Sequence, residues 1–197
     1  MHTAHYVTLA LSTVETPATT TMPVFTHIIG VAMLVAERDQ QGEWSFTLHA
    51  GVADESEEKL LEWAADLMPH PAIAIGWQVG DHMVPVLIDA IRQAEPEVAH
   101  HVASRLARLF SAPSIDPAID HGGAGASPFA EIAAKIGLTV PTMDEEQRFN
   151  AWAFSWLDPV RDQITQEAVA LWQFWLHRSG QHPDAAIATI DWLSGRS

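Results

Sequence analysis

The feature that most constrains this chain is a switch of hydrophobic period part-way along it. Three β-rich runs come first, at residues 6–11, 25–36 (FTHIIGVAMLVA) and 44–49 (WSFTLH), the last with the alternation of a half-buried strand. The polar connection ERDQQGE between the second and third predicts a hairpin. The spacing then turns helical. Asp54 stands where an N-cap belongs, with Glu57 three residues on, and Leu60, Leu61, Ala64, Leu67 and Met68 form an apolar stripe over 55–68. PHPAIAIGW restarts as a short buried strand, and helices are expected over 83–93 and through EVAHHVASRLARLF. The Pro/Gly/Ala-rich SAPSIDPAIDHGGAGAS reads as a loop with a short edge strand at 114–118. Helical patterns then run through SPFAEIAAKIG, capped by Ser127, and through MDEEQRFNAWAFSWL, DPVRDQITQEAVALWQFWLHRSG and PDAAIATIDWL.

Three strands, a helix, a fourth strand and then helices is a mixed α/β order. The first three strands would form an antiparallel meander, and the helix over 55–68 would carry the chain to a strand parallel with the first. That order fits an RNase H-like core with a helical C-terminal half, in one domain spanning residues 1–197.

Composition narrows the function classes. A formal charge of −15 disfavours a broad basic face for duplex DNA, and the arginines and lysines are dispersed. With no cysteine, disulfides, thiolate catalysis and Cys-ligated zinc are excluded, leaving 11 histidines as soft ligands. No apolar run is long enough to span a bilayer, and MHTAHYVTLA lacks a basic n-region and cleavage site, so a cytoplasmic location without membrane partners is expected.

Several stretches are similar in order and wording to one family: the predicted 3′–5′ exonucleases related to the proofreading exonuclease domain of DNA polymerase B, members of the DEDD exonucleases. STVETP resembles the family's Asp-x-Glu-Thr strand end, with Thr13 at the Asp position and Glu15 at the Glu. GWQVGDHMVPVL resembles its second motif, with Trp77 and Gln78 at the opening and Met83 at the metal-ligating Asp. SID places Asp116 on a further Asp, and ITQEA sets Ile164 on the family's Tyr and Ala168 on its last Asp. The resemblance implies an RNase H-like fold and a site in which four carboxylates hold two divalent ions about 3.5–4 Å apart. Only Glu15 of the four remains. Thr13 offers only a neutral hydroxyl, Met83 a thioether suited to soft metals and Ala168 no ligand at all, and Ile164 cannot transfer a proton.

Two readings follow. The first is a non-catalytic member, retained for binding or assembly, with weak affinity for single-stranded nucleic acid and no cofactor. In the second, an active Mg²⁺- or Mn²⁺-dependent 3′–5′ exonuclease has rebuilt its site from Glu15, Asp81 and Asp116, although Asp81 is also well placed to cap the helix starting near residue 83. Trp77, Gln78, Asp81 and Asp116 would face substrate in either. His100, His101, His70 and His121 lack metal-ligand spacing, and Asp116-x-x-x-Asp120-His121 lacks a calcium-loop pattern. Trp152, Trp156, Trp172 and Trp175, with Phe149, Phe154 and Phe174, read as core that could leave aromatic surface for a homodimer.

Overall fold

The computed structural model describes residues 4–16 and 24–196. Its sheet contains β1 (Ala4–Thr16), β2 (Phe25–Arg38), β3 (Trp44–Val52) and the short β4 (Ile73–Ile75), in the order β3-β2-β1-β4. β1 and β2 pair antiparallel, as do β2 and β3, while β4 lies parallel to β1. The meander and the parallel return are those the element order predicts. The strands run longer than the apolar runs alone indicate, because β1 and β2 go on exchanging backbone hydrogen bonds through polar residues as far as Ala4–Arg38 and Thr16–Phe25.

β2 sits in the middle and is buried on both faces, so its side chains sort by parity. Val31, Met33 and Val35 join Val7 and Leu9 of β1 beneath α1 (Glu57–Leu67), α2 (Val84–Gln93) and α3 (Pro96–Leu109). Ala32, Leu34 and Ala36 face the other way, toward α6 (Asp158–Ser179), together with α4 (Phe129–Ala134), α5 (Glu145–Ala153) and α7 (Pro183–Ser194). The result is a mixed sheet between two helical layers. α6 approaches closely at Gly30, where a Cβ would lie 2.8 Å from Ile164 Cδ1 and 3.0 Å from Val160 Cγ1.

Local differences from the sequence reading have local causes. The N-cap of α1 is Ser56, whose Oγ accepts from Lys59 N at 3.2 Å, and Asp54 instead pairs with Arg161 at 3.2 Å. α4 begins at Phe129 with Pro128 at its N-cap, so Ser127 lies one residue too early to cap it. The edge strand expected at 114–118 reduces to a single bridge between Ile115 and Ile75, because Pro117 begins a 3₁₀ turn (Pro117–His121). Among the described residues no helix is long and apolar enough to cross a membrane.

The aromatic residues of α6 are core. Trp172, Phe174 and Trp175 are buried, with the Trp172 and Trp175 rings packed at a tilt against Tyr6. Phe154 and Trp156, 79% and 67% exposed, are what the α5–α6 corner presents to solvent. α7 is fastened to α6 by a relay in which Trp172 Nε1 donates to Thr189 Oγ1 at 2.9 Å and that hydroxyl donates to Ala185 O at 2.7 Å. Thr189→Val keeps the volume but strands the indole N–H in the core. It should lower stability by about 1–3 kcal/mol, read as a drop in urea midpoint with unchanged slope.

Candidate functional site

β4 pairs with β1 only across Tyr6–Ile73, Val7–Ala74 and Thr8–Ile75. Beyond that point the chain leaves the sheet, and the edge of β1 from Leu9 to Thr13 borders a cavity of about 270 Å³. Its other walls are Trp77, Gln78, His82 and Met83 from the turn after β4, Pro128 and Phe129 at the start of α4, Arg148 of α5, and Gln163 and Glu167 of α6. A crevice at the carboxyl end of a parallel strand is where open α/β sheets place ligands.

The turn that forms one wall is held by Asp116. Its Oδ1 accepts from Gln78 N at 3.0 Å and from Ala118 N at 3.0 Å, and its Oδ2 accepts from Val79 N at 2.6 Å. Asp116 is therefore a backbone cleat, with its lone pairs committed to N–H groups. It keeps Gln78 in a left-handed conformation (φ 53°), which the Gln78 amide reinforces by donating to Gly123 O at 3.2 Å. A π-helical turn (Val79–Met83) follows, and Asp81 lies exposed inside it, making no capping bond to α2. Met83 is buried against Gly76, where a Cβ would come within 2.9 Å of its Cε.

The sequence-predicted residues therefore divide. Thr13, Trp77, Gln78 and Met83 line the cavity. Glu15 is exposed and lines a separate open groove with Asp144, Glu145 and Glu146, while Asp81 and Asp116 belong to neither lining. Ile164 and Ala168 are core residues packed with Val14, Ile29 and Ala32. The cavity-facing pair of α6 is Gln163 and Glu167, one position earlier at the same four-residue spacing, because adjacent helical residues point about 100° apart. Two polar residues four apart in an otherwise apolar helix face were the sequence signal for this pair; His82 stands beside Met83 in the stretch that resembles the second motif, and nothing comparable pointed to Ser12 or Arg148. Of the histidines considered for metal, His101 pairs with Asp66 at 2.9 Å and the His121 ring packs against Trp77 and Phe174.

The electrostatics centre on Glu167. Burial raises its pKa from 4.5 to about 7, with the Arg148 charge opposing that rise. Arg148 is itself fixed, Nε donating to Thr13 O at 3.2 Å and Nη1 to Met143 O at 2.5 Å. Three residues that line the cavity each carry a buried side-chain atom with no hydrogen-bond partner among the described residues: Ser12 Oγ, Trp77 Nε1 and Gln163 Oε1.

The donor set does not fit a pair of hard divalent cations. One carboxylate lines the cavity, accompanied by neutral hydroxyls, amides, a thioether and the His82 imidazole, and by the positive Arg148. Among the described residues no group of three or more histidine, aspartate or glutamate side chains is placed to hold a metal ion. Glu15, Asp81 and Asp116 do not come together as a rebuilt site. No protein-family model and no curated protein matches the chain.

The raised pKa makes a signed prediction. Below pH 4.5 Glu167 is protonated in both folded and unfolded chains; between 4.5 and 7 only the unfolded chain ionises, so stability falls as pH rises, and the penalty levels off above 7. Its limit is about 3 kcal/mol. Glu167→Gln should therefore match the wild type at pH 4 and exceed it by about 2–3 kcal/mol at pH 8, measured as urea midpoints across that range. A difference that does not vary with pH would contradict the assignment.

Proposed function

We propose that the chain is a degenerate exonuclease-like domain of the RNase H-like class, retained for ligand binding after loss of its two-metal site. The observation that carries this reading is the composition of the cavity. It gathers residues from the end of β1, the turn after β4 and the long helix α6, the same segments that resemble the exonuclease motifs, yet it holds one carboxylate, Glu167. Phosphodiester cleavage by two ions needs several carboxylates to bind the metals and neutralise charge on the reacting phosphate. Here Arg148 is the cation of the cavity and Met83 fills the space of a metal ligand.

The cavity keeps the features of a binding pocket: concavity, aromatic side chains and a few convergent polar groups. Any affinity for single-stranded nucleic acid is weak, because the net charge of −15 opposes approach of a polyanion.

The test is a degradation assay on 3′-labelled single-stranded DNA and RNA with Mg²⁺ or Mn²⁺, beside calorimetric titration of the protein with Mn²⁺. Neither release of nucleotides nor saturable metal binding is expected. Metal-dependent release that disappears in Glu15→Ala or Glu167→Ala would refute the non-catalytic reading.

A further inference from the structure

We propose that the free edge of β3 pairs with β3 of a second copy of this chain, so that two sheets join into one across a two-fold axis. This surface is separate from the cavity, and the pairing stands whether or not the cavity binds a ligand.

Parity decides which backbone groups of β3 are free. In an antiparallel pair, residues that exchange hydrogen bonds with the neighbouring strand alternate with residues whose N–H and C=O point away from it. Asp39 N donates to Glu43 O at 3.0 Å and Ala53 N to Ile29 O at 3.0 Å, so at both ends of β3 the odd-numbered residues bond to β2, and the register between runs without a shift. Trp44, Phe46, Leu48 and Ala50 therefore turn their backbone groups outward, and among the described residues none of those groups has a partner. Such an edge is a template for another strand, which folded proteins guard with a charge, a proline, a bulge or a very short strand. β3 has none of these: it spans nine residues, WSFTLHAGV, without proline, Asp, Glu, Lys or Arg. The opposite edge is guarded, because β4 has three residues and Ile115 bridges to Ile75 beyond it.

The edge is self-complementary. Antiparallel pairing about an axis at Thr47 sets Trp44 against Ala50 and Phe46 against Leu48 of the other copy, so every outward-facing residue finds a partner in one register. On the face beneath α7 the cross-strand neighbours are then the half-buried Phe46 and Leu48, and on the other face the exposed Thr47 meets its counterpart, a favourable pair. Charge points to the same occupant. A net −15 opposes contact between two copies over most of their surface, whereas the charge-free β3 brings no like charges together along the strand. α7 adds apolar area. It lies over β3, with the Trp192 and Phe46 ring centroids 5.4 Å apart, and turns Thr189 toward Trp172 of α6. Ile187, two residues from Thr189 and so nearly opposite it on the helix, is turned away from α6, past the β3 edge, and is 64% exposed.

Sedimentation of the full chain across a concentration series is the experiment. A dimer with a Kd of about 1–100 μM is expected, tightened by added salt, which screens the net charge. Thr47→Lys and Thr47→Glu each set like charges opposite one another across the axis, while the residue 47 amide stays bonded to β2. Each variant alone should dimerise about tenfold more weakly or worse, and an equimolar mixture of the two should recover the wild-type affinity. Unchanged urea midpoints in dilute protein would separate this from unfolding. Hydrogen exchange reads the backbone: the Phe46 and Leu48 amides should exchange quickly in dilute protein and be protected in the dimer. A chain that stays monomeric up to about 200 μM, a dimer that neither Thr47 variant weakens, or a dimer whose Phe46 and Leu48 amides stay unprotected would overturn the proposal.

Discussion

The structure depends on where the pairing of β1 with β4 stops. Backbone N–H and C=O groups in a protein interior need partners, and β4 supplies them to β1 only as far as Thr8. After Ile75 the chain is diverted: Gly76 N reaches Ile115 O, Gln78 turns left-handed, and Asp116 grips the next amides. The exposed edge of β1 then becomes a wall rather than part of a ladder, and α6, crossing the sheet in close contact with Gly30, closes the opposite side.

That geometry explains why the cavity needs no metal to keep its shape. The walls are set by backbone pairing, by the Asp116 cleat and by packing of Met83 and Phe129, none of which requires a cation. The one carboxyl left, on Glu167, is pushed by burial to titrate near neutrality, so the cavity changes charge in a pH range where an ordinary glutamate would not.

Much of the architecture was legible from periodicity. The meander, the parallel return through the first helix and the helical C-terminal half all follow from where the two-residue period gives way to the helical one. Legibility failed where one residue of phase matters. Ser56 rather than Asp54 caps α1, since the helix starts two residues later than the first possible cap. On α6, Ile164 and Ala168 carry the motif-like spacing, but the helix is rotated so that they fill the core and Gln163 with Glu167 meets the cavity. Motif spacing is kept by either pair, and only the packing against β1 and β2 distinguishes them.

By itself the sequence determined the order of strands and helices and the absence of cysteine chemistry, because these are properties of residue type and period. The tertiary structure decided which polar groups share a space. Ser12 of β1, Trp77 in the turn after β4, Arg148 of α5 and the α6 pair Gln163 and Glu167 come from four separate parts of the chain, and meet because a three-residue strand ends early and a helix crosses above it. Asp116, which looked like a ligand, became a structural cleat for the same reason: its neighbours in space are backbone amides 37 and 38 residues away. Hydrogen bonds and burial depend on distance in space, and for these residues the fold sets that distance where sequence spacing does not.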